Sequence, residues 1–379
     1  MLKKILRTMS SLRITVTLLV LLAILIFVMT MAQVDLGIFE AKRRYFDVLW
    51  VMFPTRFGTI PLCPGGKLLG ILLFLNLLAA HFTRFKWTRA KIGIGLTHWG
   101  VLLLIVGAGY SSIRSTESQM TIANGESVNF SESAQDVELS ITRELTPTMD
   151  RVVQIPQSLF KAGAVVTHPS IPFSMKVVAA YPNSRLQMNA EVGGELPHAT
   201  TGVGAAITAF PMPIVTRDDY RNVVAVFVEI VSKEGSKGTW LLSNGLGAPQ
   251  SVVVAGQTYS MVIRPARFYV PFELELVKFT QEYYPDTTIP RRYASAVKLH
   301  DPAHRVERDT TIYMNNPLRY SGRTFYQASF GQDGTSTVLQ VVQNPGWLMP
   351  YISCGIIALG LVIHFLGSLG RFWKRRKRS

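Results

Sequence analysis

Four long apolar runs decide what this chain can fold into. They cover residues 14–32, 68–83, 92–110 and 347–369. A bilayer's hydrocarbon core takes roughly 20 helical residues to cross, and three of the runs reach that length. The second is shorter. Lys67, Phe85 and Trp87 flank it and can extend it by tilting and snorkelling. The first run has the position of a signal peptide, but its apolar core is too long and TMAQV is a poor cleavage site. It reads as a retained span.

The net charge of +15 would by itself point to nucleic acid, but its location argues against that partner. Residues 1–13 carry Lys3, Lys4, Arg7 and Arg13, and residues 84–91 carry Arg84, Lys86, Arg89 and Lys91. The tail from Arg371 carries six more basic residues, and none of the three segments has an acid. They hold 14 of the 39 basic residues, which leaves 25 against 24 acidic ones elsewhere. Such an excess is a topology signal. Four crossings put all three segments on the cytoplasmic side of the cell membrane. The expected organisation is a cytoplasmic N-terminus (1–13), spans at 14–32, 68–83, 92–110 and 347–369, an outer loop (33–67) and a cytoplasmic loop (84–91). A large extracytoplasmic, periplasmic-side domain (111–346) and a basic cytoplasmic tail (370–379) complete it. The tail RFWKRRKRS is expected to touch anionic headgroups.

In the outer loop, Phe39, Phe46, Leu49, Trp50 and Phe53 fall at helical spacing among charged residues. The pattern predicts an amphipathic helix, lying on the membrane surface or packed against a soluble domain. The 111–346 domain reads as β. VVAVFVEIV and TWLL flank a loose turn, and in PFELELVKF the side chains of Phe272, Leu274 and Leu276 share one face. Recurring strands of this kind predict a sandwich or open barrel. Residues 185–205, rich in Gly, Pro, Ala and Thr, read as a loop. Cys63 and Cys354 form no CxxC, and nothing in their placement indicates a disulfide framework, a zinc site or a thiol oxidoreductase.

Seven histidines divide into two groups. His168, His198, His300 and His304 fall in or beside proline-containing stretches of the β domain and read as surface residues; Pro302 between the last two argues against a helical zinc pair. His81, His98 and His364 lie within apolar runs, all toward the cytoplasmic ends. A neutral imidazole there can hydrogen-bond a neighbouring helix, relay protons or ligate a metal, for which haem iron is the usual partner. The glycines around His98 (Gly93, Gly95, Gly100, Gly107, Gly109) allow close approach by another helix or by a flat macrocycle. Periodicity alone leaves these readings open.

Longer words then carry a resemblance. SLRITVTLLVLLAIL, AQVDLGIFEAKRRYF and LTHWGVLLLIVGAGY, followed by IPFSMKVVAAYPNS, PFELELVKFTQEYYPDTTIPRRYASAVKLHDP and MNNPLRYSGRTFYQASFG, resemble the ResB (CcsB) family of cytochrome c biogenesis proteins. The resemblance runs over nearly the full length and is most specific in the last two stretches. It implies an integral membrane protein with four α-helical spans and a large, mainly β extracytoplasmic domain. It further implies a CcsA (ResC)-type partner, with which such proteins carry haem b across the membrane and attach it to the CxxCH thiols of apocytochrome c. The partner's tryptophan-rich WGxxWxWD-like loop has no counterpart here, since Trp50, Trp87, Trp99, Trp240, Trp347 and Trp373 are scattered. The expectation is therefore one subunit of a haem lyase complex, non-catalytic or co-catalytic. By the resemblance, one histidine of this half and one of the partner hold the intramembrane haem. His98 is the first candidate axial ligand, His81 competes with it, and His364 is weaker. Two other readings stand beside this one. One is a cytochrome b-like electron-transfer subunit with haem between His98 and His364; the other is a haem-free membrane assembly or anchoring protein.

Overall fold

The computed structural model describes residues 2–377 apart from 57, 148, 190–195, 218–219, 288–289 and 332–333. The chain divides into two compact units. One joins Met1–Thr116 to Thr216–Asp218 and Gln343–Ser379, and the other comprises Glu117–Val215 with Asp219–Val342.

The first unit is mainly helical: α1 (Leu2–Met9), α2 (Leu12–Leu36), α3 (Ile38–Ala41), α4 (Gly66–Thr83), α5 (Ile92–Arg114) and α6 (Met349–Arg376). Four of these helices are long and apolar enough to cross a membrane, at the four runs read from the sequence. Hydrocarbon offers no partner to a backbone amide, so an apolar run of this length satisfies its hydrogen bonds internally as a helix. The break between α1 and α2 is held by a polar residue inside α4. Buried Asn76 donates from Nδ2 to the carbonyls of Met9 and Ser11, and its Oδ1 accepts from Thr15 Oγ1 at 2.6 Å. Arg84 adds to the joint from the end of α4, donating to Ser10 Oγ at 2.8 Å and to the Arg7 carbonyl at 3.0 Å.

Helices α5 and α6 run antiparallel along a glycine seam. A Cβ on Gly93 would lie 2.5 Å from the Gly360 carbonyl oxygen and 2.6 Å from the His364 nitrogen. One on Gly100 would lie 2.6 Å from Ile357, and one on Gly107 would lie 2.6 Å from Met349. These glycines are seven residues apart, the repeat of a left-handed helix pair, and their lack of side chains lets the backbones approach. A helix therefore occupies the space that the sequence left open to a helix or a macrocycle.

The amphipathic helix expected across the outer loop is corrected. Helical structure ends with a π-turn at Lys42–Phe46, and Trp50 and Phe53 lie in a β-hairpin of β1 (Trp50–Thr55) and β2 (Gly58–Pro64). Pro54, directly after Phe53, explains why helical spacing loses at this end: it lacks the amide hydrogen that a helix interior needs and its ring would clash with the carbonyl four residues back. Cys63 is half-buried and Cys354 exposed, and both are free thiols.

The second unit continues the strands: β3 (Thr116–Ala123), β4 (Ser127–Thr146), β5 (Met149–Pro156), β6 (Val165–Val166), β7 (Phe173–Tyr181), β8 (Ser184–Met188), β9 (Ile207–Pro211), β10 (Ala225–Ser232), β11 (Gly235–Ser243), β12 (Gln250–Val254), β13 (Gln257–Tyr283), β14 (Pro290–Asp301), β15 (Val306–Tyr313), β16 (Leu318–Tyr320), β17 (Arg323–Phe330) and β18 (Ser336–Gln343). One open sheet has the order β15-β14-β13-β4-β3-β18-β17-β16, with β12 on β13 and β5 on β4; a smaller one has the order β11-β10-β7-β6. The expected hairpin at 223–242 is present as β10–β11, with Val226 opposite Leu242. The loop expected over 185–205 is corrected in part. Residues up to Met188 pair with β9, Val203–Ala206 form a 3-10 turn, and 190–195 lie outside the described residues.

The long β4–β13 ribbon serves two cores. In the first half of β13, Tyr259, Met261 and Ile263 point into a sandwich core with Val226, Val228 and Leu242 of the smaller sheet. In the second half, Phe272, Leu274 and Leu276 enter a separate core with Leu299, Ile312 and Phe325, where the large sheet curls over itself. Odd positions face one core and even positions the other. Register irregularities between Pro265 and Arg267 and between Tyr269 and Leu274 make the change. Side chains alternate along a strand, so a local slip in the ladder is how one strand changes the face it buries. Tyr320, Phe325 and Phe330 pack here against Phe272, Phe279 and Tyr293.

Candidate functional site

The end of α4 and the start of α5 build an aromatic cluster around two histidines. After Thr83 the chain folds back, with the Phe85 amide donating to the Ala80 carbonyl at 3.0 Å. That turn lays the Phe85 ring on His81, centroids 4.8 Å apart and planes 12° from parallel. Trp87 meets His81 edge-on at 5.8 Å. From α5, His98 approaches at 5.5 Å and Trp99 at 5.2 Å, both near perpendicular. Gly95 makes the closure sterically tolerable: a Cβ there would lie 2.7 Å from the Trp87 ring.

The two histidines that compete on sequence grounds thus share one site, in different settings. His81 is buried, 5% exposed, and its Nε2 has no hydrogen-bond partner. A buried polar atom left unpaired costs about 1–3 kcal/mol, which makes it unusual among aromatic walls. His98 is half-buried at the edge of the cluster, and Trp99 and Trp87 are exposed. His364 stands apart. Its backbone abuts Gly93, five residues before His98 and so about 7 Å along the helix. Its ring contacts Phe365, and its Nδ1 is also buried without a partner. Among the described residues no group of three metal-ligating side chains occurs.

His168, His198, His300 and His304 are exposed. His304 nevertheless takes part in an arrangement that the sequence reading passed over. Asp301, 1% exposed at the end of β14, accepts from the Tyr320 hydroxyl at 2.7 Å and the His304 amide at 3.1 Å, and its Oδ2 lies 2.9 Å from His304 Nδ1. The Tyr320 bond above all, opposed by burial and aided by His304, holds the Asp301 carboxyl down to about 2. The same bond, with burial, pushes the Tyr320 phenol up. Asp301 and Tyr320 lie in the two stretches that carried the strongest resemblance. Asp301 next to a histidine-containing turn was the available signal. Asn76 was likewise legible as a polar residue inside an apolar run.

Residues 204–338 match the ResB-like family. Protein NrfI of Wolinella succinogenes is 28% identical over 370 residues, which is 95% of this chain and 35% of NrfI. Cytochrome c biogenesis protein CcsB of Crocosphaera subtropica is 36% identical over 73 residues, 19% of this chain and 16% of that protein.

These matches point to the ResB/CcsB family of cytochrome c biogenesis proteins.

The chain spans about a third of NrfI's length. The family match covers the C-terminal part of the β unit, which contains Asp301 and Tyr320, whereas the histidine cluster lies outside it. The solved structure of Cytochrome c Heme Lyase CcmF aligns with 78% of this chain and 30% of its own, at 10% identity and a TM-score of 0.21, too low to indicate a shared fold. Four span-length helices, with similarity to cytochrome c biogenesis proteins, support a membrane protein.

Proposed function

We propose that this chain is the ResB/CcsB-type half of a membrane cytochrome c synthase. In this reading it works with a CcsA/ResC-type partner to carry haem across the membrane and support its attachment to the CxxCH thiols of apocytochrome c. The observation that carries the proposal is the unpartnered Nε2 of His81 within the cluster of Phe85, Trp87, His98 and Trp99. The donor set fits haem: an imidazole nitrogen beside aromatic surface. Haem, when bound, supplies the iron that takes an imidazole nitrogen and the vinyl groups that the substrate thiols attack.

The roles of this chain's residues follow from the cluster. His81 would hold the haem iron through its Nε2, together with a histidine of the partner. Sequence reasoning places His98 first, but packing gives His81 the stronger support, because its buried nitrogen lacks any protein partner. His98, edge-on to His81 and half-buried, lines the approach and is the alternative ligand. Phe85 and Trp87 exclude water and fix the His81 ring plane. The 14 basic residues of the three acid-free segments support a topology with both termini in the cytoplasm, which puts the cluster at the inner face. The β unit then lies outside and receives the apocytochrome or the partner's outer face.

The test is co-expression with the partner and visible spectroscopy of His81→Ala, His98→Ala and His364→Ala. His81→Ala should lose the b-type spectrum and holocytochrome c, and free imidazole should restore the spectrum. An unchanged spectrum in all three variants refutes the site. Six-coordinate haem on the isolated chain, lost in His98→Ala and His364→Ala, would instead show the cytochrome b-like reading.

A further inference from the structure

Residues 48–64 read VLWVMFPTRFGTIPLCP, with Arg56 as the single charge. In the β1–β2 hairpin one cross-strand pair, Val51 and Cys63, turns inward and joins the apolar cluster that runs along α2 and α4 through Leu25 and Leu69. The outward residues are as apolar as that core. Leu49, Trp50, Met52, Phe53, Ile60 and Leu62 are each between 45% and 63% exposed. A two-stranded ribbon with apolar side chains on both faces is not stable by itself in water. Something covers it.

Three features select the cover. The hairpin leaves α2 and returns to α4 at their membrane-span ends, closed at its base by the Gly65 amide on the Leu49 carbonyl at 2.9 Å. It therefore sits where two spanning helices meet the apolar–polar boundary. Its strands also contain Pro54, Pro61 and Pro64, which have no amide hydrogen to offer a third strand. That disfavours a protein partner docking by strand addition and lowers the cost of leaving strand edges in a poorly hydrated layer. Finally, exposed Lys42 and Arg44, beside Arg43 paired to Glu40 at 2.7 Å, and half-buried Tyr45 precede it, with Trp50 at its base. Cations with Trp and Tyr are the side chains of a headgroup interface.

We propose that the β1–β2 hairpin inserts into the headgroup–acyl boundary of the leaflet at the C-terminal end of α2, with lipid as its partner. The ribbon fixes the depth of the α2–α4 pair in the bilayer and does so independently of any haem site.

The experiment uses the full chain carrying Cys63→Ser and Cys354→Ser in phosphatidylcholine–phosphatidylglycerol vesicles. A single cysteine at position 53, 60 or 62 (Phe53→Cys, Ile60→Cys or Leu62→Cys) carries an NBD label. Phe27→Cys, on the exposed side of α2, gives the acyl-chain reference, and free NBD-cysteine in buffer gives the water reference. The expected result is blue-shifted emission at all three hairpin positions, with 5-doxyl lipid quenching at least twofold more than 12-doxyl lipid. Emission equal to that of free NBD-cysteine, without quenching, overturns the proposal. Blue-shifted emission that neither doxyl lipid quenches also overturns it, because the cover is then protein.

Discussion

Replacing Gly93 by alanine puts the α5–α6 seam to a quantitative test. The new Cβ would lie 2.5 Å from the Gly360 carbonyl oxygen, 2.6 Å from the His364 nitrogen and 2.9 Å from its Cα. Carbon–oxygen contacts settle near 3.3 Å, so the helices must part by about 0.8 Å. All three obstructing atoms are backbone, and no rotamer change can relieve them. A gap of that size forfeits a quarter to a half of each dispersion contact along the seam, and overpacking of this kind costs about 1–3 kcal/mol. Alanine returns about 0.8–1 kcal/mol through its better helix propensity. The net is a loss of about 0–2 kcal/mol. Gly109→Ala is the matched control, because a Cβ there meets nothing within 4 Å, and only the propensity gain of about 0.8–1 kcal/mol remains. Thermal unfolding of the full chain in mild detergent should place Gly93→Ala below Gly109→Ala by several degrees, with the control at or above the parent. Gly360→Ala, whose Cβ would lie 2.7 Å from the Gly93 oxygen and the Thr97 nitrogen, should behave like Gly93→Ala. If Gly93→Ala and Gly109→Ala raise the melting temperature equally, the close approach is wrong.

Other parts of the molecule make separate predictions. Asn76→Leu removes three hydrogen bonds to the α1–α2 joint, each worth about 0.6–1.7 kcal/mol between membrane helices, and amide exchange at residues 9–11 should accelerate at least tenfold. In the β unit, buried Glu138 accepts from Arg264 Nε at 3.1 Å and Gln154 Nε2 at 2.8 Å. Arg264→Met strands that carboxylate and should cost about 3–5 kcal/mol in urea unfolding, whereas Arg264→Met with Glu138→Leu should recover much of the loss. Asp301 titrates lower in the folded chain, near 2, than in the unfolded one, near 3.8. The stability that this shift contributes is therefore fully present above about pH 4 and lost as pH falls toward 2. The melting-temperature gap between parent and Asp301→Asn should be widest at pH 5 and shrink toward pH 2; a gap that does not change with pH would contradict the assignment. Tyr320 titrates higher when folded, so its contribution should instead fade as pH rises past 10, a loss that Tyr320→Phe would not show.

Much of the architecture was readable along the chain. The four spans are a local property, since about twenty apolar residues in hydrocarbon have no backbone arrangement cheaper than a helix. The β class followed from period-two alternation, as at Phe272, Leu274 and Leu276, all buried in one core. The family resemblance was legible because its words are contiguous. The outer loop was misread because helical spacing of Phe39 to Phe53 says nothing of the prolines' missing amide hydrogens until they have to be paired.

Tertiary structure decided what depends on residues far apart meeting. It joined His81 and His98, two separate candidates in the sequence, into one cluster closed by Phe85, Trp87 and Trp99, and left a buried nitrogen on the first. It assigned Gly93, Gly100 and Gly107 to α6 and Gly95 to Trp87, a choice between helix, ring and ligand that glycine spacing does not contain. It also switched the face of β13 at a slip in the ladder, which only the partner strand reveals. A span or a strand pattern is paid for within its own segment, whereas a site is made by the packing of several, and that is why the sequence determined the scaffold and the fold determined the site.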